Sequence, residues 1–179
     1  MNKFNPLKNS VLLLASLAFA SSIAQARPVR LPELTLSADA QRTAISTPLS
    51  QLKPSGRWVL LVLDANLAST DAFLRGLKRD QFDGAQTVLV LIGKSSNAQQ
   101  LKAHLALPEK MLWTQGQTAA VLNTLAIGGT PAMYGITPDG NVAWRQLGYG
   151  ARQGDVLVRI WDWLKPPVAS VNNLGVSVR

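Results

Sequence analysis

The sequence predicts an α/β fold in which a central mixed β-sheet is flanked by helices. Two unbroken apolar runs, residues 58–63 and 87–92, are closed by Asp64 and Gly93, as is typical of strands that are covered on both faces. The segment between them has apolar residues at helical spacing, so strand, helix and strand form a parallel unit. Further along, residues 132–147 change to a hairpin pattern, which adds antiparallel strands to the sheet.

The first helix is predicted directly after the first strand. Ser69 and Thr70 offer side-chain oxygens of the kind that cap helices, and Asp71 suits the first turn, where an acidic side chain is favourable. The apolar residues that follow at helical spacing are Phe73, Leu74 and Leu77. We therefore expect a cap at Ser69 or Thr70.

Three elements are expected between the second strand and the hairpin. A helix over residues 95–107 ends at Pro108, because proline cannot continue it. A short strand follows at residues 111–113. A second helix over residues 117–125 is rich in good helix formers and stops before Gly128-Gly129.

The hairpin and a last helix complete the predicted domain. The hairpin strands span residues 132–136 and 141–147, and Thr137-Pro-Asp-Gly140 forms the turn, since proline presets φ and glycine supplies positive φ. The apolar residues of segment 153–164 form one stripe of an amphipathic helix, which ends before Pro166-Pro167.

The N-terminus has the three parts of a secretory signal peptide. Lys3 and Lys8 give a positive start, residues 11–20 an apolar core, and Ala24-Gln25-Ala26 a small-x-small cleavage site. A core of about ten residues is too short to cross about 30 Å of hydrocarbon as a helix. We therefore expect cleavage after Ala26, export to the periplasm and no membrane span in the mature chain; an uncleaved membrane anchor is the alternative.

The rest of the chain divides into three parts. Residues 27–56, rich in Pro, Ser, Thr and Leu, are predicted as an extended N-terminal arm with one strand near Glu33–Ser37. Residues 57–165 form the domain, and residues 166–179 a flexible C-terminal tail.

Charge and residue types exclude several classes of site. The net charge of +8 comes from scattered basic residues, without the clustered run that marks a basic tail, so we expect no nucleic-acid binding. The single histidine, His104, lies on a predicted helix and has no evident nucleophile to activate. One histidine and scattered carboxylates predict no metal site, and without a glycine-rich phosphate loop no cofactor is expected.

Two segments carry a resemblance to a known family. Gly129-Thr130-Pro131-Ala132-Met133-Tyr134, followed by Asp139-Gly140 and Gly148-Tyr149, resembles the G-T-P-A segment of periplasmic disulfide isomerases and related thioredoxin-like proteins. Leu63-Asp64-Ala65-Asn66-Leu67-Ala68-Ser69-Thr70 is similar to that family's D-P-x-C-x-x-C strand end. The resemblance covers about residues 58–164. It implies a thioredoxin-like fold with Pro131 in cis and facing the redox site, whereas an ordinary trans turn is the alternative.

In this resemblance the two redox cysteines of the family are missing. Leu67 and Thr70 stand at their positions, with Ala68 and Ser69 between them; an alignment one residue later would put Ala68 and Asp71 there. The sequence contains no cysteine, and thiol exchange requires a thiolate. Reductase, oxidase, isomerase and cysteine peroxidase activities are therefore excluded, and no catalytic residue is expected.

Two further residues are candidates for function. Asp64 ends a buried strand beside the missing redox site, and its expected role is to cap the loop into the next helix. Trp161 and Trp163 lie two residues apart on one helix, so they cannot both face the core. Because Trp161 belongs to the apolar stripe, Trp163 is predicted as an exposed interface anchor, with packing against the tail as the alternative.

The resemblance implies a non-catalytic thioredoxin-like module that binds protein partners in the cell envelope. In the family, the groove between the redox loop and the cis-proline binds extended polypeptide. Here the groove would be lined by Leu67, Ser69, Thr70, Thr130 and Pro131. The expected setting is a periplasmic assembly such as a secretion or conjugation apparatus. A holdase-like chaperone is the main alternative, and an enzyme of unrecognised chemistry around Asp64 or Thr70 is the other.

Overall fold

The structure is a computed structural model that describes residues 28–37, 46–79, 84–105, 111–149 and 152–166. The predicted signal peptide and all but the first residue of the predicted tail lie outside these ranges. No helix within them is long and apolar enough to cross a membrane.

Within the described residues, seven strands form one mixed sheet in the order β2-β1-β5-β4-β3-β6-β7. In the centre, β3, β4 and β5 are parallel, whereas β6 is antiparallel to β3 and β7 is antiparallel to β6. On the far side, β1 pairs antiparallel with both β5 and β2. The strands are β1 (Thr35–Ser37), β2 (Ser46–Pro48), β3 (Trp58–Asp64), β4 (Thr87–Ile92), β5 (Leu112–Gln115), β6 (Ala132–Ile136) and β7 (Val142–Leu147).

Helices cover both faces of the sheet, which explains why the central strands are apolar without interruption. Alternate residues of β3 point to opposite faces, so Leu61 and Leu63 enter one core and Leu60 and Val62 the other. Helices α2, α3 and α5 contribute to the first core, and α1 and α4 to the second. The helices are α1 (Leu49–Leu52), α2 (Ala68–Arg79), α3 (Ser95–Leu105), α4 (Thr118–Thr124) and α5 (Gln153–Leu164).

The predicted α/β fold with a mixed sheet is confirmed, and β4, β6 and α5 have the predicted bounds. The predicted helix cap is wrong in position. Helix α2 begins at Ala68, so Ser69 and Thr70 lie in its first turn. Thr70 does not cap the helix there, because its hydroxyl donates backwards to the carbonyl oxygen of Asp64, at 2.7 Å.

The N-terminal segment is more structured than an extended arm. The strand expected near Glu33–Ser37 is present as β1, but residues 46–52 add β2 and α1, which were not predicted. Leu34, Leu36 and Leu49 are buried in the second core. Their burial explains why this segment lies on the sheet.

Candidate functional site

Two loops lie close together at the end of the sheet where the parallel strands have their carboxyl ends. The α2 entry segment (residues 64–70) leads from β3 into α2, and the proline loop (residues 128–131) leads into β6. Because β3 and β6 are antiparallel neighbours, with Val62 opposite Ala132, the end of one strand lies beside the start of the other. The Thr130–Pro131 peptide bond is cis.

Asp64 organises the α2 entry segment. Its carboxylate Oδ1 accepts a hydrogen bond from the backbone N–H of Asn66, at 2.8 Å. Its carbonyl oxygen accepts from the N–H of Leu67, at 3.2 Å, and from the hydroxyl of Thr70, at 2.7 Å. Asp64 therefore caps the turn between β3 and α2, in the role expected for it.

Asn66 ties this segment to the loop that follows β4. Its Oδ1 accepts hydrogen bonds from the N–H of Lys94, at 3.2 Å, and from Nδ2 of Asn97, at 3.0 Å. Gly93 makes this close approach possible: its φ is +98°, and a Cβ at this position would lie 2.6 Å from Asp64 Oδ1. A glycine is thus required beside the site.

The predicted groove residues differ in how accessible they are. Leu67 is 43% exposed and Thr70 only 1%, while Ala68 and Ser69 are exposed. Leu67 also borders an open cleft against α3, where Leu101 is the other large apolar residue. Leu67 is therefore the exposed large apolar side chain of the α2 entry segment, whereas the hydroxyl of Thr70 bonds within the loop.

In the proline loop, the backbone polar groups of Thr130 have no partner among the described residues. Gly129 is exposed, Thr130 is half-buried and Pro131 is buried. The carbonyl oxygen of Pro131 accepts a hydrogen bond from Gly148, at 2.8 Å. The N–H and C=O of Thr130 bond to no other described residue, so both are available to an extended chain laid against the loop.

Tyr149 completes the site, although no role was predicted for it. Its ring packs against Phe73, with the centroids 5.2 Å apart, and its Oη is buried without a well-formed hydrogen bond to a described residue. Burial raises the pKa of Tyr149, and the nearby hydroxyls of Thr70 and Ser69 lower it in part. Tyr149 therefore lies against the start of α2. Its place in the Gly148-Tyr149 pair was the only sequence signal for it.

Comparison with known proteins identifies this architecture. No family model and no curated protein matches the sequence. Among solved structures, a thiol:disulfide interchange protein from a Bacteroides species is 13% identical, with a TM-score of 0.59 over 82% of this chain and 95% of that chain. The thioredoxin domain of a thiol-disulfide oxidoreductase from Bacteroides vulgatus is 14% identical, with a TM-score of 0.57 over 78% and 99%.

The chain has a thioredoxin-like fold. The resemblance inferred from two short segments is thereby confirmed at the level of the fold. The two solved structures carry thiol–disulfide names, whereas this sequence has no cysteine.

The two possible registers of the missing cysteines place different residues in the thioredoxin-like site. In the first, Leu67 directly precedes α2 and Thr70 is buried in its first turn. In the later register, Ala68 is exposed and the carboxylate of Asp71 pairs with Arg75 at 2.8 Å. The Asp71–Arg75 pair is thus a surface contact along the helix.

Trp163 is not the exposed anchor that the sequence predicted. It is half-buried, and its Nε1 donates to the carbonyl oxygen of Trp58, at 3.0 Å. Its ring meets that of Trp144 edge-on, with centroids 6.4 Å apart, and the guanidinium of Arg57 lies 5.1 Å from the ring centroid. Trp163 is therefore part of the packing between α5 and the start of β3.

His104 lies in a surface pair outside the two loops. Its Nε2 is 2.6 Å from Nη2 of Arg75, and because a guanidinium can only donate, Nε2 acts as the acceptor. This contact does not involve Asp64 or Thr70. Within the described ranges no group of three His, Cys, Asp or Glu residues is arranged to hold a metal ion.

Proposed function

We propose that this protein is a non-catalytic thioredoxin-like module that binds an extended segment of a partner protein. The observation that carries the proposal is that the N–H and C=O of Thr130 bond to no other described residue, at the end of the sheet where Leu67 is exposed. A segment laid along the proline loop would pair with the Thr130 N–H and C=O, as in β-strand addition. Leu67 would supply the apolar contact beside it.

The proposed absence of catalysis rests on the groups at the site. Thiol chemistry has no sulfur to use. The hydroxyl of Thr70 is buried and donates to Asp64, and the carboxylate of Asp64 accepts from Asn66. Both groups are therefore already engaged in hydrogen bonds within the loop, which argues against the alternative of an enzyme that uses them in catalysis.

The proposed setting is the bacterial periplasm. It rests on the sequence of residues 1–26, which has the form of a signal peptide, and on the resemblance to periplasmic isomerases. A secretion or conjugation apparatus is the kind of assembly that we propose for the partner.

Site-specific photo-crosslinking in the native host tests the binding role. Probes belong at Leu67 and Gly129, which are exposed, rather than at the buried Thr70. A probe at Val158, which is 58% exposed on α5, is the matched control. One dominant adduct from both loop probes, absent from the control, is expected.

Two other results would speak against this function. A mixture of exported proteins at both loop probes would favour the holdase-like chaperone, because a promiscuous surface has no single partner. Adducts from Val158 but from neither loop would show that the groove is not the binding surface.

A further inference from the structure

Strand β7 forms one edge of the sheet, and the described residues cover only its beginning. The N–H of Val142 donates to the carbonyl oxygen of Val29, at 2.8 Å, and the N–H of Leu31 donates to that of Gly140, at 3.0 Å. These bonds flank an antiparallel bridge between Arg30 and Asn141. The edge of β7 thus already accepts an extended segment at one end.

Along the rest of the β7 edge, no described strand pairs with the backbone. In an antiparallel ladder, hydrogen-bonded and non-hydrogen-bonded pairs alternate. Because Gly148 donates to Pro131, the next bonded pair is Gln146 with Met133. Arg145 and Leu147, which lie opposite Tyr134 and Ala132, therefore direct their N–H and C=O groups away from β6, where no described strand pairs with them. The one bond to these groups from a described residue is a long one within β7, from Nε2 of Gln146 to the carbonyl oxygen of Leu147, at 3.4 Å.

The side chains of Arg145 and Leu147 determine which kind of strand could pair with the β7 edge. Leu147 is 48% exposed. Arg145 is exposed and forms no ion pair with a described residue, and β7 carries no acidic residue. A second copy of β7 paired about Arg145 would set two like charges opposite each other, which is unfavourable.

We propose that the open edge of β7 binds an extended segment of another protein that carries an acidic residue opposite Arg145. An apolar residue two positions away would lie on the same face of that segment and cover Leu147. Backbone pairing to Arg145 and Leu147 supplies the contact, and the charge of Arg145 supplies the selectivity. This surface is the outer edge of β7, which adjoins the proline loop only at its end, where Gly148 bonds to Pro131. The inference stands without the proposed function.

Amide hydrogen exchange, followed by NMR on the full mature chain, tests the proposal. The probes are the peptide Ac-Thr-Val-Thr-Glu-Thr-amide and its Lys-for-Glu counterpart, both at millimolar concentration. In the free protein the amides of Arg145 and Leu147 should exchange fast, while that of Gln146, bonded to β6, is protected and serves as the internal control. At saturation the Glu peptide should slow the two edge amides by about tenfold or more, and the Lys peptide should slow them far less.

Two variants make the result specific. Arg145→Glu should reverse the preference between the two peptides. Leu147→Pro removes one edge N–H at a position where proline is tolerated, and it should weaken binding of the Glu peptide while Gln146 stays protected.

Three results would overturn the proposal. They are no slowing with either peptide, equal slowing with both peptides, and slowing that rises with protein concentration alone. The last would make a second copy the occupant. Shifts confined to the Thr130 amide would support the proline-loop groove and contradict the β7 edge, so the two proposals fail separately.

Discussion

The hydroxyl of Thr70 donates a hydrogen bond to the carbonyl oxygen of Asp64, at 2.7 Å, and so closes the turn between β3 and α2. Thr70 stands at a position where, by the resemblance, the family has a redox cysteine. Here the side chain is only 1% exposed and fastens the start of the helix to the end of the strand. Thr70 therefore supports the loop between β3 and α2.

We expect Thr70→Val to lower the free energy of unfolding by about 1–2 kcal/mol, because it removes a buried hydrogen bond while keeping the shape of the side chain. Ser69→Ala, which removes a neighbouring but exposed hydroxyl, should change it by less than about 0.5 kcal/mol. Urea unfolding of both variants measures the difference. Equal effects would mean that the Thr70–Asp64 bond contributes little.

Gly93→Ala should destabilise the protein by at least about 2 kcal/mol. The φ of Gly93 is +98°, and the added Cβ would lie 2.6 Å from Asp64 Oδ1 and from Asn66 Nδ2. The control is Gly154→Ala on α5, where a Cβ meets nothing within 4 Å, so stability should be unchanged or raised by up to about 1 kcal/mol. Thermal unfolding compares them, and a neutral Gly93→Ala would contradict the close packing of the α2 entry segment against the loop that follows β4.

Trp163→Phe should cost about 1 kcal/mol, since it removes the hydrogen bond to the Trp58 carbonyl. Trp163→Ala should cost about 2–4 kcal/mol, because the ring packs between Arg57 and Trp144. Val158→Ala, at an exposed site on the same helix, should lie within about 0.5 kcal/mol of the wild type. Chemical denaturation measures these changes. If Trp163→Ala lowered the free energy of unfolding no more than Val158→Ala does, Trp163 would be a free surface anchor after all.

Stability should fall as the pH rises above about 10. Burial raises the pKa of both Tyr134 and Tyr149 in the folded state. The unfolded chain therefore loses these protons at lower pH than the folded chain does, and the stabilisation present below the unfolded pKa is lost as the pH passes through the folded pKa.

The double variant Tyr134→Phe/Tyr149→Phe checks this pH dependence. It should show a shallower fall of the urea midpoint between about pH 9 and pH 11. At neutral pH it should keep most of its stability, because neither hydroxyl has a well-formed hydrogen bond to a described residue. A fall as steep as that of the wild type would assign the alkaline loss of stability to other groups.

Periodicity was enough to predict the central strands and the last helix. Residues 87–92 and 132–136 are apolar between turn formers, and residues 153–164 repeat at helical spacing, so local pattern and burial agree. The segment from 46 to 52 lacks such a pattern. It forms β2 and α1 because Leu49 is buried against residues far along the chain.

By itself, the sequence determined that thiol chemistry is absent and in which order the strands and helices follow from β3 to α5, because residue types and local spacing are properties of the chain alone. Only the tertiary structure decided which side chains are buried and which backbone groups find hydrogen-bond partners. It buried Thr70, turned Trp163 towards Trp58, and left Leu67, Thr130 and the edge of β7 with unused contacts. Burial and hydrogen bonding depend on partners distant in sequence, and no local pattern specifies those partners.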